Sequence, residues 1–200
     1  MKSLLTFKHW QLFLLFLAVP LLSFVVGIVM ALIMDNIMAP VMMLMVTVFL
    51  STAFFMLYQY SVVYHLNRLL PSDIRIDLKL FNLSMIFNIV VVICMLVSFW
   101  QVMNFDGTPA IGNFTWVIFM MLAVLLSVVT SLYVLFIMSK ALVSVEQHRK
   151  ITASDHALEF ILFWFWIVGI WVLQPRINEI FRTPGDMSSH AIPPPLPVLD

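Results

Sequence analysis

The sequence predicts an all-α fold, a polytopic transmembrane helix bundle, and three observations carry that expectation. The first is composition: of 200 residues, 63% are hydrophobic and only 10% charged, with a mean hydropathy of +1.07. A soluble domain carries about 25% charged residues, and a water-soluble fold of this length could not hide so much apolar surface. The second is the presence of four uncharged runs long enough to cross a bilayer, which takes about 20 apolar residues. The third is that all ten Lys and Arg fall outside those runs, with the loop cations gathered in alternate connections.

The first run spans 10–34. Lys2 and Lys8 precede it as in a secretory signal, but it stays uncharged from Trp10 to Met34, about twice a signal core, and no A-x-A pattern follows. It therefore reads as a retained span, with Pro20 kinking it and neighbouring helices satisfying the freed carbonyl. Further runs cover 38–64, 81–103 and 115–138. Trp10, Tyr58, Tyr60, Tyr64, Trp100 and Trp116 lie toward their ends, as expected of rings at headgroup depth. Arg68, Arg75 and Lys79 lie between the second and third runs, and Lys140, Arg149 and Lys150 follow the fourth, whereas 35–37 and 104–114 hold no cation. The positive-inside rule then puts the N-terminus and the 65–80 and 139–159 loops in the cytoplasm.

A fifth apolar segment, 157–173, is shorter. Its uncharged part, 160–173, reaches only about 21 Å as a helix. Thr152 with Asp155 three residues on resembles a capping box, and a helix from there to Leu173 would reach about 31 Å. Crossing places Arg176 and Arg182 on the wrong side, while a re-entrant path keeps every cation cytoplasmic. The expectation is a fifth span, preferred over a dip. The bundle then occupies 1–182 as one domain, and 183–200, rich in Pro and Ser with a PxxP match at Pro194–Pro197, is expected to be a disordered tail.

In the 65–80 loop, Asp73, Arg75, Asp77 and Lys79 alternate with Ile74, Ile76, Leu78 and Leu80. A helix would stack like charges at i,i+4, so the period of two predicts an extended stretch on the membrane surface. A lone strand is marginal and would want a partner, for instance from another copy.

Residues able to do chemistry are few. The four spans contain no charge, which weighs against ion-coupled transport and a charge-based filter. Ser84, Asn88 and Ser98 lie within about an 80° arc of one helix, widened by Cys94 and Gln101. That face is either a polar groove for a small solute or a set of interhelical hydrogen bonds, and the second is the simpler use. Two small-residue stripes, Ser23, Gly27, Ala31 and Ala123, Ser127, Ser131, predict close helix packing within the bundle or a homodimer seam. Met30, Met34, Met38 and Met42 recur at spacing four, but Asp35, Asn36 and Pro40 interrupt them, so they read as apolar filler rather than a copper site. Glu146, His148, Asp155, His156 and Glu159 gather in one loop, yet no HExxH, GxSxG or P-loop pattern accompanies them. No catalytic, cofactor or metal residue is assigned. The lone Cys94 excludes an internal disulfide, and zero net charge gives no sign of a nucleic-acid partner.

The stretch from Lys140 to Phe181, above all Gly-Ile-Trp-x-x-Gln-Pro-Arg-Ile-Asn at Gly169 to Asn178, resembles small integral membrane proteins of Bacteroidota, and Leu5 to Leu14 looks similar too. The resemblance implies a multi-pass protein of a bacterial inner membrane and no catalytic residues. The expected role is a non-enzymatic assembly or accessory subunit touching lipid, other membrane proteins or its own copies. A passive small-solute transporter or channel subunit is the alternative.

Overall fold

The computed structural model describes residues 7–34, 38–103 and 112–182. The 183–200 tail, Lys2, and the 35–37 and 104–111 loops lie outside them, as do the side chains of Trp100 and Gln101. Helix α1 (His9–Phe13) continues through a π-helical turn, Leu14–Ala18, into α2 (Val19–Met34). Pro20 explains that turn. It has no N–H and its ring would strike the Phe16 carbonyl four residues back, and widening the preceding turn relieves the clash without breaking the rod. Helices α3 (Met38–Leu69), α4 (Lys79–Met103) and α5 (Gly112–Gln147) complete four helices long and apolar enough to span. No strand occurs among the described residues.

The expected spans are present, but α3 and α5 run well past 64 and 138. Their 32 and 36 residues make rods of about 48 and 54 Å against a hydrocarbon core of about 30 Å. Both overshoot at the end where the loop cations gather, called here the basic end.

Two antiparallel hairpins, α2–α3 and α4–α5, form the long walls. Gly27 is buried and Ser23 and Ala31 half-buried on a helix whose other faces are open, so this stripe lies on the side packed against α3. Half-buried Ala123, Ser127 and Ser131 lie likewise on the side of α5 facing α4. Each stripe therefore serves its neighbour along the chain. Outward, Leu32, Ile33 and Leu125 stand 81%, 73% and 66% exposed, a surface suited to lipid contact.

The buried core is concentrated at the basic end. Leu12, Val62, Leu66, Phe81, Met138, Leu142, Leu173 and Ile177 join in one cluster fed by α1, α3, α4, α5 and the fifth segment. What fills it is the fifth segment. A 3-10 turn, Ala153–His156, leads into α6 (Ala157–Trp164), and after Phe165 the chain resumes as α7 (Trp166–Arg182). The expected reach-back is present, the Thr152 N–H donating to Asp155 Oδ2 at 2.9 Å. A straight rod to Leu173 is not. The two helices are bent by 120° at Phe165, whose φ of −84° and ψ of 52° take it out of the helix. Gly169 makes so tight a return feasible: a Cβ there would lie 1.8 Å from the Leu162 carbonyl oxygen. The V closes at its open ends, because Glu159 in the first turn of α6 pairs with Arg176 late in α7 at 3.1 Å.

The charged loop keeps its period of two as far as Leu78, and the expected fourth aliphatic, Leu80, already in α4, is instead exposed. Ile74, Ile76 and Leu78 are half-buried against the core while Asp73, Arg75, Asp77 and Lys79 are exposed. In place of a partner strand, the Asn67 side chain takes both backbone positions of Ile76, donating to its carbonyl at 3.0 Å and accepting its N–H at 2.8 Å.

Candidate functional site

Every side chain of the Gln-Pro-Arg-Ile-Asn run other than the proline has a defined partner. Gln174 is fully buried; its amide nitrogen donates to the Phe7 carbonyl and to Asn178 Oδ1, each at 3.0 Å, and its oxygen accepts the Tyr58 hydroxyl. Asn178 donates to the same Phe7 carbonyl at 3.1 Å. Ile177 is fully buried in the core. Pro175 sits inside α7, where it forgoes one ladder bond to Trp171. The Arg176 guanidinium forks between Glu146 at the end of α5 and Glu159 on α6. One turn and a half of helix thus ties the chain's start, α3, α5 and α6 together. Rings finish the seam: Trp171 lies 4.5 Å from His9, and Trp166 lies 4.9 Å from Phe16 and 5.3 Å from Phe55.

Tyr58, expected among the headgroups, is therefore a core donor. Sequence reasoning could not find this, because its partner is 116 positions away. The cavity beside Tyr58 and Gln174 measures about 20 Å³, room for about one water. This site fastens helices and leaves no space for a substrate.

The titratable loop groups do not assemble into a catalytic set. His148 is exposed with a φ of 49°, ending α5. His156 is 1% exposed, with Nδ1 3.0 Å from Ser139 Oγ and its ring 4.7 Å from Phe136. The Ser139 hydroxyl reaches the Phe136 carbonyl at 2.9 Å. With its proton spent there it accepts from the imidazole, which makes His156 a satisfied core side chain rather than a base beside a nucleophile. Among the described residues no three of His, Cys, Asp and Glu converge as a metal site, and Met30 points outward at 41% exposure.

The polar face of α4 meets α5. Asn88, 3% exposed, accepts the Ser127 hydroxyl at 2.8 Å, and Thr130 Oγ1 lies 2.9 Å from the same oxygen. Ser98 donates to the Cys94 carbonyl at 2.7 Å and accepts the Trp116 indole N–H at 2.9 Å. Ser84 is half-buried on the same helix. Among the described residues no buried side-chain nitrogen or oxygen lacks a partner.

The open space lies elsewhere. Helices α3 and α4 touch sparingly, and between them runs an apolar cleft of about 610 Å³, lined by Phe49, Ala53, Leu57, Tyr60, Ile86 and Ile89 among others. Toward the far end, a second hollow of about 330 Å³ continues it between Met42, Val46 and Phe99. Asn88 takes no part in either lining. Comparison with protein-family models, curated proteins and solved structures finds nothing that matches this chain.

Proposed function

We propose that the chain is a bacterial inner-membrane protein with four crossings and one re-entrant hairpin, its N-terminus and all basic loops cytoplasmic. It works without catalysis, as an accessory or assembly subunit acting through lipid and protein contacts. The observation that carries this reading is the pairing of Arg176 with both Glu146 and Glu159. Glu146 ends α5 and Glu159 begins α6, so a chain position after the apolar hairpin returns to the level of two positions before it. The hydrogen bonds of Gln174 and Asn178 to Phe7 bring that same level to the start of the first span. Helix α6 has eight residues, a descent of about 12 Å, less than half the hydrocarbon core. With the hairpin returning, Arg176 and Arg182 rejoin the other eight Lys and Arg on one side, and the positive-inside rule has no exception.

The accessory role draws on where the polar groups go. Asn88, the amide that a solute path through α4 would need, is occupied by α5 hydroxyls, and the accessible hollow is apolar. Two measurements test the proposal. A topology reporter fused after Arg182 is expected to read cytoplasmic, and a periplasmic readout overturns the re-entrant path. Purified protein in liposomes is expected to pass no small solutes; a flux abolished by Asn88→Leu would install the transporter reading instead.

A further inference from the structure

From the cleft between α3 and α4 we infer a binding site for one anionic phospholipid of the cytoplasmic leaflet, with acyl chain between the helices and phosphate at the basic mouth. The inference rests on the orientation proposed above, but its binding test is independent of orientation. The cleft falls in the volume range of small-molecule sites, about 300–1,000 Å³, and its walls are almost wholly hydrocarbon. From Phe49 to Tyr60 it follows α3 for about 16 Å, roughly half the hydrocarbon thickness and therefore the depth of one leaflet.

The mouth supplies the charge. Steps of three and four residues carry the lined face of α3 from Leu57 through Tyr60 and Tyr64 to Arg68. The same steps carry the lined face of α4 from Ile89 through Ile86 and Asn82 to Lys79. Both walls thus end in an exposed cation. The Arg68 guanidinium is held over the Tyr64 ring, 5.4 Å from its centroid, at the entrance to the cleft. Two acids share the loop. Asp77 is engaged, its Oδ1 accepting the Lys79 backbone N–H at 3.0 Å, and exposed Asp73 sits beyond it beside exposed Arg75. Arg75 leans back to the Leu70 carbonyl at 3.4 Å, which leaves Arg68 and Lys79 to meet a phosphate. Anionic lipids populate the cytoplasmic leaflet, and juxtamembrane cations attract them.

The test uses full-length protein, delipidated in detergent and titrated with phosphatidylglycerol or phosphatidylcholine, read by native mass spectrometry and by the shift in melting temperature. Wild type is expected to retain one phosphatidylglycerol in preference to phosphatidylcholine. Removing both exposed cations, as Arg68→Gln with Lys79→Gln, should weaken phosphatidylglycerol about thirtyfold and leave phosphatidylcholine unchanged. Ile89→Trp, which fills the cleft from a position 45% exposed, should displace both lipids, and glycerol phosphate without chains should not compete. Equal affinity for the two lipids in wild type, or unchanged phosphatidylglycerol binding in the double variant, overturns the headgroup site. Unchanged binding in a folded Ile89→Trp protein overturns the cleft. If Ile89→Trp does not fold, the double variant, which alters exposed positions only, still decides.

Discussion

The basic end and the far half of this bundle are built from the same kinds of apolar residue but held together in opposite ways. At the basic end five chain segments converge, one face of α7 is buried, Gln174 and Asn178 bond each other and the Phe7 carbonyl, and Arg176 pairs with two acids. Away from that core the two hairpins stand apart, with a small-residue seam inside each, hydroxyl, amide and indole contacts between α4 and α5, and a hollow between the hairpins toward the far end. The difference teaches where specificity comes from in lipid. Burying a Leu against another helix gains little over burying it in acyl chains, so fine packing and satisfied polar groups decide which helices stay together. The basic end has both, and the far half leaves room for something else.

Substitutions can break this contrast, and the largest effect belongs to the hairpin's closest approach. Gly169→Ala sets a methyl group against the Leu162 carbonyl at a distance no relaxation of the side chain can relieve. It is expected to cost about 3 kcal/mol, read as a lowered unfolding midpoint in mixed micelles. Next is Arg176→Met, which strands Glu159, whose side chain is only 12% exposed, and frees Glu146. Partial exposure of the guanidinium moderates the loss to about 2 kcal/mol, and the reporter after Arg182 should begin to show mixed orientation. Asn88→Leu, on the α4–α5 seam beyond the basic-end core, removes interhelical hydrogen bonds and should cost about 1 kcal/mol by the same unfolding measurement. Leu125→Ala, on the outward face of α5, should stay within about 0.5 kcal/mol. If the last two proved as damaging as the first two, the contrast between the ends would be lost.

The same contrast sets what could be read from the sequence. The four spans and the end at which each begins were legible, because hydropathy and the placement of Lys and Arg report on solvent, which acts locally. The alternation at Ile74, Ile76 and Leu78 was legible for the same reason, though its partner was expected to be a strand and is the side chain of Asn67. The length of α3 and α5 was not legible. Residues 65–69 and 139–147 are too mixed to look like spans and are helical where they pack on α7 and the core. Nor was the break at Phe165, where no Pro or Gly marks the bend; the signal that could have found it is Gly169 four residues on, the residue type that a near-touch of two backbones requires. Of the polar residues singled out, Asn88 and Ser98 meet partners on α5 that spacing along one helix could not name. Of the residues that fasten the bundle, Tyr58, Gln174 and Asn178 depend on pairings across more than half of the chain, and Arg176 on acids 17 and 30 positions before it.

The bond from Gln174 to the Phe7 carbonyl joins positions 167 residues apart, and that has a consequence for biogenesis. The partner of the first rod is made 167 residues after it, so the opening helix must wait in the bilayer, unclasped, until α7 has been made. A chain arrested before residue 174 would carry all four long apolar helices and still be an unlatched set of rods, open to whatever quality-control protease patrols the membrane.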